Sequence, residues 1–158
     1  MGTLNSGRRY NFGFKTRKWC APMKQTIEIP DDNPIFGASV KAFEQWQYAP
    51  AVRAGGLLFI AGTVGIRPDG TVPDSVAEQT ELAFERIAEI LRLEGLSVTD
   101  LVEVVSYHVA VKDNLEAFLP VKTKFFQHPL PTWTLLGVEA LGLPELKIEI
   151  KCVAALKG

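Results

Sequence analysis

Cysteine and histidine are scarce in this chain, two of each among 158 residues. Cys20 and Cys152 lie far apart with no CxxC pair, so no disulfide framework is available and a reduced setting suits the chain better. A zinc site takes three or four N, S or O ligands, usually with close pairs, and His108 and His128 offer no such spacing. Neither a metal nor a cofactor is expected. Long apolar runs are missing too. The charge-free stretch AGGLLFIAGTVGI (54–66) falls well short of the roughly 20 residues that cross a bilayer, and it carries four glycines, so no membrane span is expected. No G-x-G-x-x-G or Walker pattern occurs, which leaves the glycines of GTVG (62–65) and PDG (68–70) as turn residues, and no G-x-S-x-G elbow presents a serine nucleophile.

Acidic residues are absent from the first 24 positions, which hold Arg8, Arg9, Lys15, Arg17, Lys18 and Lys24. Taking those six from the 17 basic residues leaves 11 against 18 acidic ones, a net charge of −7 for the body of the chain. Such a body repels a phosphate backbone, so nucleic acid is not an expected partner. The basic segment has no periodic apolar face. It reads as a mitochondrial transit peptide, a basic tail, or an upstream extension left by start-site choice or cloning. MGTLNS also fits the loose myristoylation pattern. The division is therefore an extension over 1–24 and a domain over 25–158, cytoplasmic unless the extension is a true transit peptide.

What remains is globular in character, with 47% hydrophobic and 22% charged residues, and long enough to bury a core without staples. QTIEIP (25–30) is a candidate short strand, and DDNPIFG after it a loop. QWQYAPAVRAG and LLFIAGTVGI read as two strands about the Gly55-Gly56 turn. Asp74 or Ser75 can cap a helix running to about Leu93, with Gly95 just past its end. Val76, Ala83, Ile87, Ile90 and Leu91 fall near one face, while Glu81, Glu85, Glu89 and Arg92 take the other. LVEVVSYHVAV (101–111), rich in β-branched residues, reads as a strand. NLEAFLPVKTKFFQ (114–127) reads as a second helix, with Pro120 opening its final turns. TWTLLGVEAL and ELKIEIKCVAAL close the chain as strands, the latter alternating Leu146, Ile148, Ile150 and Cys152 with Lys147, Glu149 and Lys151. The order β-β-α-β-α-β-β gives an α+β domain, a mixed sheet with two helices on one face. The bare face carries too many apolar residues for water, which points to oligomerisation.

One stretch stands out: HPLPTWTLLGVEAL (128–141), where Pro129 and Pro131 stiffen a loop just before Trp133. From about residue 41 onward, YAPAVRAGGLLFIAGTVGIRPDGTV, VAEQTELAFERIAEILRLEGLSVTDLVEVVSYHV, FLPVKTKFF and LKIEIKCVA follow in an order that resembles the YjgF/RidA family, also called the L-PSP endoribonuclease family. The resemblance implies a chorismate-mutase-like subunit in a homotrimer, its sheets forming a central barrel and ligand clefts lying between subunits. It also implies hydrolysis of reactive enamines and imines. Active members place an arginine at the start of the penultimate strand, in a pattern like P-x-R-[ST]. Here that position is Trp133, followed by Thr134. A second family position, an asparagine, matches Leu119. Tyr48 and Gly62 match cleft positions, and Glu149 matches the acid thought to orient the attacking water. The expected site is thus Glu149 as catalytic acid–base, with Tyr48, Gly62, Leu119, Trp133 and Thr134 binding substrate.

Each of these residues has a plainer reading. Trp133 is either a core or interface aromatic, or a cleft wall whose ring stacks on a flat or cationic ligand. Glu149 is either the general base or a partner for Lys147, Lys151 or a neighbouring subunit's lysine. Tyr48 is also a plain hydrogen-bonded wall residue. His108 reads as a structural histidine, His128 as a loop residue or an approach to the cleft, and Cys152 as a buried, inert thiol. Tryptophan cannot grip a carboxylate by two parallel N–H···O bonds as arginine does. Three functions follow: an enamine/imine hydrolase whose substrate lacks the usual carboxylate, a non-catalytic trimer binding a metabolite or partner, and, least suited to an acidic body, a ribonuclease.

Overall fold

Alternating apolar residues assemble a six-stranded mixed sheet in the computed structural model, which describes residues 24–157. The basic segment before Lys24, with its targeting and acylation patterns and Cys20, lies outside the described residues. Strands β1 (Gln25–Ile27), β2 (Ala51–Ala54), β3 (Leu57–Val64), β4 (Leu101–Val109), β5 (Thr132–Val138) and β6 (Ile148–Ala155) lie in the order β1-β2-β3-β6-β4-β5. Only β4 and β5 pair in parallel, which requires a crossover between them. That crossover is helix α3 (Val111–Phe125), and it packs beside α2 (Val76–Leu93) on one face of the sheet. A stacked Phe84–Phe125 pair, ring centroids 4.2 Å apart, joins the two helices.

The period-2 pattern of β6 sets which face the helices cover. Ile148, Ile150, Cys152 and Ala154 are buried beneath them, together with Val104, Ser106 and His108 of β4 and Leu58 and Ile60 of β3. On the opposite face Phe59 is 41% exposed and Leu136 45%. The apolar bare face expected from the sequence is present in the single chain.

Several boundaries differ from the sequence reading. β1 is only three residues long, and the expected loop runs on into a short helical segment, a 3₁₀ turn at Gly37–Val40 followed by α1 (Lys41–Gln45). The bounds of α2 agree with that reading, and of its two candidate caps it is Ser75 that accepts the Glu78 N–H, at 3.4 Å. The strand at β4 ends at Val109 because Ala110 adopts φ 46°, and α3 then begins at Val111 rather than Asn114. The Asn114 side-chain amide ties the junction by donating to the Val109 carbonyl at 2.8 Å. Pro120 sits inside α3 and not at the start of its last turns. Proline costs a helix one N–H, which orphans the carbonyl of Glu116 four residues back; both residues are exposed, so water can serve that carbonyl.

Candidate functional site

The β3–β6 ladder carries an irregularity at its middle. Ile60 pairs with Cys152 but the next partners are Thr63 and Ile150, so Ala61 and Gly62 bring one extra residue into β3. Bulges of this kind re-aim side chains and interrupt pairing. Here the interruption lets the Glu149 carboxylate lie against Gly62, where an added Cβ would stand 1.8 Å from Oε1. Gly65 is equally constrained, since a Cβ there would come within 2.1 Å of the Gln79 carbonyl oxygen on α2. Neither glycine has a positive φ. The turn reading of GTVG is therefore corrected: these are points of close approach, whereas Gly70 of PDG does take a turn conformation at φ 91°.

Glu149 is half-buried, and burial pushes its carboxyl above the usual range. Among the described residues it has no ion-pair partner. Lys147 instead donates to the Asp74 carbonyl. A half-buried carboxylate with free lone pairs and a raised affinity for protons is suited to exchanging a proton with a bound water.

Tyr48, at the end of the loop that follows α1, reaches the same region. Its ring lies edge-on to Phe43 with centroids 5.2 Å apart. Burial raises its hydroxyl pKa; the Arg86 charge opposes that rise and the Glu149 carboxylate adds to it, so the hydroxyl feels both groups. Arg86 comes from the inner face of α2 and is only 4% exposed. One of its terminal nitrogens donates to Ser39 Oγ at 2.8 Å and to the Ile66 carbonyl at 2.7 Å, while the guanidinium carbon lies 5.1 Å from the centre of the Phe36 ring. Its Nε has no partner among the described residues, and burial pulls its pKa down to about 10. Phe36, Tyr48, Gly62 and Arg86 help line a pocket of about 40 Å³.

The loop holding Arg86 is itself pinned to α2. Asn33 donates to Glu89 at 2.6 Å and accepts the backbone N–H groups of Ile35 and Phe36. Arg92 closes on Glu89 through two bonds of 2.7 and 2.8 Å. Glu89 is thus buried, a correction to its expected place on the solvent face of α2. Arg86 escaped the sequence reading, although its spacing of three from Ala83 and four from Ile90 places a charge in the apolar stripe of α2.

Trp133 lies elsewhere. It pairs in register with Val104, on the helix-covered side of the sheet, whereas Glu149 pairs with Tyr107 on the bare side. The indole N–H donates to Ser106 Oγ at 2.9 Å, the ring stacks on Phe118 at 6.1 Å between centroids, and Lys122 Nζ stands 4.0 Å from its centre. One face of the ring thus holds a cation from its own chain. Thr134, exposed, points to the bare face, two strands across and two residues along from Glu149, and so about 12 Å away. Leu119, 39% exposed, lies on α3. A single chain therefore brings together Tyr48, Gly62 and Glu149 and leaves Trp133 and Thr134 on the edge strand β5 and Leu119 on α3.

Of the remaining candidates, Cys152 is buried and its thiol is pushed up to about 12, as an inert thiol would be. His108 is fully buried with neither ring nitrogen bonded, its ring edge-on to Phe118 at 4.5 Å. His128 is exposed in the loop before β5. Among the described residues no cluster of three or more His, Cys, Asp or Glu is placed to hold a metal, and no helix is long and apolar enough to cross a membrane.

This architecture has known counterparts. The solved structure of the protein YjgH superposes with a TM-score of 0.72 at 29% identity, covering 84% of this chain and 98% of that one. The RutC family protein YjgH of Escherichia coli is 34% identical over 115 residues, 72% of this chain and 86% of its own length. Reactive Intermediate Deaminase A, chloroplastic, of Arabidopsis thaliana is 32% identical over 111 residues, 69% of this chain and 58% of its own. The family model described as Endoribonuclease L-PSP matches residues 39–156. The chain belongs to the L-PSP endoribonuclease family, the YjgF/RidA family that its sequence resembles.

Proposed function

We propose that this protein hydrolyses a reactive enamine or imine, with Glu149 as the acid–base and a homotrimer forming the clefts in which it works. The observation that carries the reading is the Glu149 carboxylate: half-buried, free of any partner among the described residues, and seated in the space that Gly62 leaves at the bulge. Water held by Glu149 attacks the C=N carbon, giving its proton to the carboxylate. That proton passes to the nitrogen, and the resulting carbinolamine collapses to a carbonyl compound and ammonia. A relative named as a reactive intermediate deaminase supports the class of chemistry. The apolar bare face, with Phe59 and Leu136 exposed, supports self-association. So does the separation of the β5 edge from Glu149 within one chain, because only a neighbouring copy can bring Trp133, Thr134 and Leu119 beside it.

Substrate choice departs from that of arginine-bearing relatives. Trp133 spends its N–H on Ser106 and offers no fork to a carboxylate adjacent to the reacting carbon. Ribonuclease activity is the weaker reading, because a body of net charge −7 repels phosphate. The test measures ammonia release from freshly generated imines, with and without a carboxylate on the reacting carbon. Wild type accelerates some of the uncarboxylated imines and leaves 2-aminoacrylate at its spontaneous rate. Glu149→Gln loses about 100-fold or more. Rates no faster than spontaneous on every imine, for wild type and Glu149→Gln alike, would instead favour a non-catalytic binding role.

A further inference from the structure

Arg86 and Tyr48 stand on different elements, and a short series of contacts joins them. Helix α1 is only five residues long and buries none of them fully. It ends in a Schellman motif. Gln47 takes the left-handed conformation at φ 54°, its N–H reaches the Glu44 carbonyl at 3.2 Å, and the Tyr48 N–H reaches the Phe43 carbonyl at 3.1 Å. The apolar contact that accompanies such a motif is here the edge-on Phe43–Tyr48 pair. Tyr48 is thus fastened to α1, and whatever holds α1 holds Tyr48.

Arg86 supplies that hold. Phe43 packs on Phe36 with ring centroids 5.8 Å apart, and Phe36 lies under the Arg86 guanidinium. Ser39, in the 3₁₀ turn that runs straight into α1, accepts from the same terminal nitrogen that bonds the Ile66 carbonyl. One side chain of α2 therefore grips both the turn before α1 and the chain leaving β3. A buried cation without an anion costs stability, and no ion pair compensates Arg86 among the described residues. An apolar side chain would fill the same space but could not bridge Ser39 to Ile66.

We propose that Arg86 is a positioning residue of the site: through Ser39 and the Phe36–Phe43 contact it fixes α1 so that Tyr48 stands at the pocket it shares with Gly62, on which the Glu149 carboxylate lies. The hold on Tyr48 stands on these contacts; its effect on turnover rests on the hydrolytic reading above. A misplacement of about 1 Å costs on the order of 100-fold in rate, so a helix this short need shift little for the loss to show.

The test joins turnover to structure in the full chain. On an imine that the wild type hydrolyses, Arg86→Gln lowers kcat by about 10- to 100-fold. Arg86→Lys recovers most of that loss, because one ammonium can make the two bonds that one terminal nitrogen makes now. Tyr48→Ala loses as much by itself, and adding Arg86→Gln to it takes away nothing more, as expected of a residue that acts through Tyr48. Ser39→Ala cuts the same tie without touching α2 and costs about 3- to 10-fold, so the proposal is decided even if Arg86→Gln fails to fold. Crystal structures of wild type and of either variant, superposed on the sheet, show α1 and Tyr48 displaced together with the Phe43–Tyr48 contact intact. Unchanged turnover in Arg86→Gln and Ser39→Ala overturns the proposal, as does an additive loss in the double variant, or α1 and Tyr48 undisplaced in the crystals. If the wild type hydrolyses no imine, the hydrolytic reading falls and the crystal structures alone decide whether Arg86 places Tyr48.

Discussion

On the helix-covered side of β5, Trp133 has its one polar need met: its N–H bonds Ser106, and its ring lies between Phe118 and the Lys122 ammonium. Around the β3 bulge the opposite holds. Among the described residues Glu149 has no ion-pair partner and Arg86 keeps an unbonded Nε–H, and both are shifted by burial toward their neutral forms. Buried polar groups in folded proteins are nearly always satisfied, so a cluster that is not marks a place kept ready for something else. Mutations should therefore cost stability on the first side and activity on the second.

The largest loss is expected from Trp133→Ala. Large-to-small changes of buried aromatics cost about 3–5 kcal/mol, and a half-buried ring belongs at the low end, so about 3 kcal/mol should disappear from the unfolding free energy measured by denaturant. A loss under about 1 kcal/mol would show that the indole is not part of the packing and would return it to the role of a free cleft wall. Trp133→Arg should also destabilise, since it sets a guanidinium beside Lys122.

Glu149→Gln should do the reverse. Its turnover falls by about 100-fold or more, yet at pH 7 its stability rises by up to about 1 kcal/mol, because a half-buried charge is replaced by a neutral isostere. The sign with pH follows from the raised carboxyl. The folded chain takes up its proton at a higher pH than the unfolded one, so wild-type stability recovers as pH falls toward 4.5 and the advantage of glutamine fades over that window. Parallel stability curves for the two proteins would mean that Glu149 is not shifted.

How much of this was legible beforehand follows the same division. Apolar alternation reports burial, so β3, β4 and β6, the stripe of α2 and the inert Cys152 could all be read from the sequence. Motif likeness marked Glu149, Gly62 and Tyr48, which fold together. It also marked Trp133 as a wall of a cleft between subunits; strand parity alone cannot say which face residue 133 takes until the β4–β5 register is known, and the pairing with Val104 puts it on the helix-covered side. Arg86 was missed because a single charge in an apolar stripe looks like noise without the loop that covers it. That loop depends on Asn33 meeting Glu89 across 56 residues, a contact no local pattern encodes. Pro120 was misjudged for a related reason: whether a helix tolerates proline depends on solvent reaching the orphaned carbonyl.

His108 tests whether every unsatisfied group is functional. Its two nitrogens are unbonded like Arg86 Nε, but Phe118 packs against it and no pocket described above reaches it. It should be merely costly. Leucine has a similar volume, so His108→Leu is expected to gain about 1–2 kcal/mol by removing unsatisfied polar atoms. The gain grows at low pH. Burial lowers the imidazole pKa, so below 6.5 the unfolded chain binds a proton that the folded chain refuses and the wild type weakens, while the leucine variant does not. Equal gains at pH 5 and pH 8 would remove the titration from the account.

The smallest effect belongs to Lys122→Met. Methionine keeps an apolar stem of similar length over the Trp133 and Phe126 rings and deletes only the charge, which stands 4.0 and 5.0 Å from the two ring centres. Cation–π contacts at partly exposed sites contribute about 0.5–1 kcal/mol, offset here by the desolvation that lowers the lysine pKa, so the loss should be about 0.5 kcal/mol. The informative reading is comparative. If the ammonium serves only to cap the indole, Lys122→Met in a Trp133→Ala background changes nothing further, since the ring that held it is gone. A full additional loss in the double variant means that the lysine answers to another group, and that the covered side of β5, like the bulge, keeps a charge in reserve.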